Sequence, residues 1–125
     1  MGYRSQVLLA IGKELTPFLL LATSQCKEAE ALVFKDHDTF DKDYYEGWLF
    51  RWDDIKWYDS YEEIAVLEKF IADACNDEYD MGTRDGKKQY SSEFIKFVRL
   101  GEDTNDVEML GDGFWDIYVT RSIEC

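Results

Sequence analysis

The chain has 125 residues, 46% of them apolar, and a formal net charge of −13 from 27 acidic and 14 basic residues. Length and apolar content are those of one domain, residues 1–125, that buries its own core, and they exclude a disordered chain. The charge disfavours contact with nucleic acid or anionic membrane and steers the protein toward basic partners.

Residues 3–11, YRSQVLLAI, read as a first strand, with Val7, Leu9 and Ile11 on one face and Leu8 and Ala10 on the other. Apolar residues on both faces place it inside a sheet. Thr16-Pro17 marks a helix start, an N-cap residue followed by proline at the first helical position. Phe18, Leu19, Leu20 and Leu21 predict a well-buried helix from Pro17 to about Gln25, and KEAEALVF either continues it to Phe34 or forms a strand.

Residues 36–47, DHDTFDKDYYEG, break both periodicities and read as a loop. GWLFRWDDIKWYD reads as a β-hairpin turning at Asp53-Asp54. Phe50, Trp52, Ile55 and Trp57 then share one face, and Leu49, Arg51, Lys56 and Tyr58 the other. Ser60 and Glu63 fit a capping box. Ile64, Leu67, Phe70, Ile71 and Ala74 then form one helical stripe. Asn76 to Gln89 is polar, holds Gly82 and Gly86, and reads as a loop. SSEFIKFVRL is the next strand, GEDTND a turn, DVEML a short strand and DIYVTRSI the last one. The expected fold class is α+β: a ferredoxin-like βαββαβ arrangement with an added C-terminal hairpin, mostly antiparallel sheet with helices on one face.

Catalytic and cofactor chemistry fails on inventory, so no enzyme, cofactor or metal is expected. Cys26, Cys75 and Cys125 are far apart and odd in number, and His37 is the single histidine, too few ligands for a Cys/His zinc site. They read as reduced structural thiols, and His37 as a loop residue without a triad. Gly111-Asp112-Gly113 lacks the third glycine and the helix of a phosphate loop, and Asp112 and Asp116 would repel phosphate. Asp36, Asp38, Asp41 and Asp43 alternate as in a calcium loop, but Phe40 and Asp41 stand where that loop needs an oxygen ligand and a glycine. The apolar run Val7–Ile11 is too short for a signal peptide, and Leu15–Ala22 too short to cross a bilayer. Gln6 stands where a myristoylation motif needs Ser or Thr. A cytoplasmic protein is expected.

The charge is segregated. Residues 36–63 hold ten acids against three bases and residues 101–125 seven against one, giving −7 and −6, while the remainder is neutral. Aromatics crowd residues 44–61, beside so many acids that base stacking is disfavoured. The Trp52 face reads as core, leaving Tyr44, Tyr45 and Tyr58 for an interface. The candidate partner-binding residues are Asp36, Asp38, Asp41, Asp43, Tyr44 and Tyr45 in the first block. In the second they are Asp103, Asp106, Glu108, Asp112 and Asp116.

Three segments carry a resemblance: the opening Met1-Gly-Tyr-Arg-Ser-Gln-Val7, then Ile55-Lys-Trp-Tyr-Asp-Ser-Tyr-Glu62, then Phe97-Val-Arg-Leu-Gly-Glu-Asp103 followed by Asp106 and Glu108. They resemble small accessory proteins of tailed bacteriophages, mostly of unassigned function. The resemblance implies a phage or prophage origin and the cytoplasm of an infected or lysogenic bacterium. It imports no catalytic residues, and residues 13–47 lie outside it. Small acidic phage proteins of the anti-restriction and anti-CRISPR type occupy basic nucleic-acid-binding surfaces, carboxylates standing in for phosphates. A basic host protein or nucleoprotein complex is therefore the expected partner. The alternatives are an interaction module using the aromatic hairpin, with acidity serving solubility, and a small-ligand pocket between sheet and loops. If the mimicry reading holds, the two acidic blocks should form one negative surface.

Overall fold

A computed structural model describes residues 3–103, 105–114, 116–119 and 123–124. Five antiparallel strands form the main sheet: β1 (Ser5–Gly12), β2 (Thr39–Tyr44), β3 (Gly47–Ile55), β6 (Ile95–Leu100) and β7 (Val107–Leu110), in the order β2-β3-β1-β6-β7. The helices are α1 (Thr16–Ser24), α2 (Lys27–Phe34) and α3 (Glu62–Cys75). Two-stranded ribbons form from β4 (Asp80–Arg84) with β5 (Lys87–Tyr90), and from β8 (Tyr118–Val119) with β9 (Ile123–Glu124). The architecture is α+β with a mostly antiparallel sheet.

The central place of β1 follows from its two apolar faces. Val7, Leu9 and Ile11 join Phe50, Trp52, Ile95 and Phe97 in a core closed by all three helices. Leu8 and Ala10 join Leu49 and Val98 on the opposite face, beneath Ile117 and Ile123 of the C-terminal segment. The α3 stripe of Ile64, Leu67, Phe70, Ile71 and Ala74 is wholly buried, as its spacing predicts. No helix among the described residues is long and apolar enough to cross a membrane.

Several expectations change. The chain reverses not at Asp53-Asp54 but at Tyr45-Glu46, the two-residue turn between β2 and β3. Both turn residues have positive φ, 48° and 61°, as the turn that matches strand twist requires. Gly47 must follow, because a Cβ there would run into the Ile11 carbonyl oxygen. Asp53 and Asp54 thus continue β3, and the supposed loop 36–47 contains edge strand β2. Most of the expected loop 76–89 belongs to the β4–β5 hairpin, which turns at Asp85-Gly86 with φ 54° and 76° and ends at Tyr90.

The N-terminal helical stretch is two helices. Thr23 and Ser24 turn their hydroxyls onto the carbonyls of Leu19 and Leu21 (2.9 and 2.8 Å), local bonding that competes with helix continuation. Cys26 then takes an extended conformation between the helices. Leu20 and Leu21 are exposed, so α1 buries only Leu19 and Thr23 fully. Thr16 bonds back to the Lys13 carbonyl rather than capping forward. The Ser60 cap is not made: α3 starts at Glu62 with Tyr61 as N-cap and no side-chain cap bond. The final segment forms the separate β8–β9 ribbon instead of a strand of the main sheet. Ser91–Phe94 is a short 3-10 turn leading into β6.

Candidate protein-interaction surface

Antiparallel register decides which loops share an end of the sheet. β2 and β7 begin, and β3 and β6 finish, at the end where β1 starts. That end collects Asp36 and Asp38 from before β2, Asp53 and Asp54 from the close of β3, and Glu102 and Asp103 from after β6. All six are exposed. Asp38 and Asp53 are tied together: the Asp53 N–H donates to Asp38 Oδ2 (2.6 Å), and the Asp38 N–H to the Arg51 carbonyl (2.8 Å). Arg51 Nε pairs with Asp53 Oδ1 at 2.7 Å and holds that carboxyl below its usual range. Arg4 lies between the two acidic blocks. Its N–H donates to Glu102 Oε1 (2.9 Å) and its guanidinium stands 3.9 Å from Asp54. Shallow depressions flank it, one lined by Asp53, Asp54 and Glu102 and another by Glu28, Asp36, Asp54 and Glu63. Arg4 lines both depressions and Lys56 one of them, so part of their negative charge is answered from within.

Asp106 and Glu108 are engaged internally. Arg99 donates to both Asp106 oxygens (2.8 and 3.1 Å), and its Nε stands 3.6 Å from Glu108. The Tyr3 hydroxyl donates to Asp106 (2.7 Å) and accepts the Asp103 N–H (3.0 Å). Arg99 first, then Tyr3, lowers the Asp106 carboxyl to about 2.

At the opposite end of the sheet Tyr44 and Tyr45 sit edge to face, centroids 4.7 Å apart. The Tyr44 hydroxyl stands 3.5 Å from Asp116, and its ring lies against Phe114. Tyr45 is 68% exposed, and Asp116 raises the pKa of its hydroxyl. Asp41 and Asp43 lie along β2 between the two ends, with Asp41 accepting the Asp43 N–H (2.9 Å). Asp112 is anchored near this end by its N–H to the Ser92 carbonyl (2.8 Å).

The eleven candidate residues therefore occupy separate places. Asp36, Asp38 and Asp103 share one end, Asp41 and Asp43 lie along β2, Asp106 and Glu108 stand at the β6–β7 edge, and Tyr44, Tyr45, Asp112 and Asp116 at the other end. The two acidic blocks meet at three separate places among the described residues: through Asp54, Arg4 and Glu102 at one end, through Asp59 beside Asp106 and Glu108 along a groove, and through Tyr44 and Asp116 at the other end. Asp53, Asp54 and Glu102 were absent from the candidate set. The alternation Leu49, Arg51, Asp53, opposite Trp48, Phe50 and Trp52, is the signal that β3 runs on to place Asp53 and Asp54.

His37 packs on Phe40 (5.3 Å) and its Nδ1 lies 2.9 Å from the Val33 carbonyl. Cys26 and Cys75 are free thiols, and burial raises the pKa of Cys75. Cys125 lies outside the described residues. Among those residues, Cys26, Glu28 and Glu62 bring three potential metal ligands within 4.8 Å. Both glutamates stand in the first turns of α2 and α3, where helix dipoles favour a carboxylate and oppose a cation. No protein-family model, curated protein or solved structure matches the chain.

Proposed function

We propose that the protein is a phage-type accessory factor that binds and inhibits a basic, nucleic-acid-binding host protein, its carboxylates taking the place of phosphates. One observation carries this reading: Asp36, Asp38, Asp53, Asp54, Glu102 and Asp103, from distant parts of the sequence, converge on one end of the sheet. A cluster of exposed carboxylates at one end of the sheet attracts a groove built for phosphates. The fold belongs to the same reading as a ferredoxin-like βαββαβ unit. In support, hairpin β2–β3 lies on one side of β1, β6 returns from α3 to the other, and β7 is added. The setting is the cytoplasm of an infected or lysogenic bacterium. The exposed Tyr45 beside Tyr44 favours a second reading, an aromatic interface without mimicry.

Capture of binding proteins from a bacterial lysate tests it. The captured proteins should be nucleic-acid binders, displaced by duplex DNA and by about 0.5 M salt. They should be lost when Asp36, Asp54, Glu102 and Asp103 are changed to Asn or Gln. Capture that survives salt and those changes, yet disappears with Tyr45→Ala, would transfer the function to the aromatic end.

A further inference from the structure

We propose that edge strand β7 is the docking rail of this protein, and that its occupant is an extended basic segment of the partner, added as a sixth strand. This rests on the charge-based reading above and specifies how the partner is held.

The two edges of the main sheet are built differently. β2 is guarded: Asp41, Lys42 and Asp43 are all exposed, and the register slips between Asp41 and Tyr44, the devices by which edges refuse a neighbour. β7 has neither. Its register with β6 runs unbroken from Leu100↔Val107 to Phe97↔Leu110. Among the described residues no strand pairs with its outer side. Val107 and Met109 are 45% and 42% exposed and point to the face carrying Val98 and Leu100. Glu108 points to the opposite face, and its charge is partly answered by Arg99 at 3.6 Å. An open edge with uncovered apolar side chains is what strand addition uses.

Charge selects the occupant. Glu102 and Asp103 precede β7, Glu108 lies within it and Asp112 follows it. A second copy pairing antiparallel about a two-fold axis would set the acids before β7 against Asp112 of its mate, between two chains of charge −13. Like charges then oppose the pairing. A basic strand meets no such cost. Side chains on the Glu108 face would be Lys or Arg, within reach of Asp59, Glu68, Asp106 and Glu108, which line one groove with Arg99. Side chains on the other face would be apolar, against Val107 and Met109.

The probes are two blocked peptides of about eight residues, alternating Lys-Val and alternating Lys-Pro. Their charge is equal, but proline denies the second a strand ladder. At about 20 mM salt the Lys-Val peptide should bind at least roughly tenfold tighter and slow amide exchange at residues 107–110. Met109→Glu should erase that preference, although its added charge would strengthen purely electrostatic binding of both peptides. Equal, salt-sensitive binding of both peptides overturns the β7 proposal and leaves the charge reading intact. Binding of neither overturns both. A peptide-free dimer with protected amides at 107–110 would show a second copy on the edge and also overturn it.

Discussion

Trp52 shows what a single residue contributes. It is 2% exposed, its indole N–H donates to the Leu32 carbonyl (3.2 Å), and its ring stacks along Phe50 at 6.1 Å. Trp52→Ala removes that volume from between sheet and α2, and urea titration should show a loss of roughly 3–5 kcal/mol. Ser60→Ala, by contrast, should stay within about 0.5 kcal/mol of the parent, because α3 draws no cap from that serine. A loss near 1 kcal/mol would restore the capping box. Asp106 adds a pH dependence. Its carboxyl falls from an ordinary 3.8 to about 2 in the folded chain, so the folded state holds it ionised where the unfolded chain takes up a proton. Its stabilisation is complete above about pH 4 and is lost as pH falls through about 2. Asp106→Asn should therefore lower stability at neutral pH and flatten the slope between those values. Chemical unfolding at pH 7, 4 and 2.5 checks this, and an unchanged slope would remove Arg99–Asp106 from the account of acid sensitivity.

The elements were legible in proportion to how strongly burial enforced their periodicity. β1 and α3 were readable because their apolar positions repeat against a core, and both are fully buried along those positions. β2, β4 and β5 escaped because they are exposed and carry no apolar alternation; TFDKDY and KKQY read as loop by composition. The same blindness misplaced the reversal: Tyr45-Glu46 lacks the Asn-Gly signature, while Asp53-Asp54 looked more turn-like. The acidic segregation was legible by counting charges. The meeting of Asp54, Arg4 and Glu102 was not, because it depends on register. At that turn the sequence works against its geometry. Glu46 holds φ 61° and offers only an exposed 3.7 Å pair with Lys13, worth little. Glu46→Gly should relieve the left-handed strain and gain a few tenths to about 1 kcal/mol, net of glycine's backbone entropy. A loss of stability on thermal unfolding would mean the turn is not limited by its backbone.

At the scale of the whole molecule the question is what −13 costs and what it serves. The ion pairs among the described residues are few and mostly exposed, so they offset little of the repulsion. Like charges gather where Asp36, Asp38, Asp53, Asp54, Glu102 and Asp103 share the end of the sheet, with Arg4 and Arg51 among them. Such like-charge fields destabilise a compact chain and are screened over about 10 Å at 0.1 M salt. Raising sodium chloride from about 10 mM to about 300 mM should therefore lift the melting temperature by several degrees. Changing Asp36, Asp54 and Asp103 to Asn and Glu102 to Gln removes four charges, from −13 to −9. The Arg4 contacts keep their acceptors. That variant should melt higher than the parent at low salt and converge with it at high salt. The acids then oppose folding and owe their place to something outside the fold, which is what a partner-binding surface requires. If the variant melts lower at low salt, those carboxylates are structural ligands of Arg4 and its neighbours. The surface would then lose its claim to have been kept for a partner.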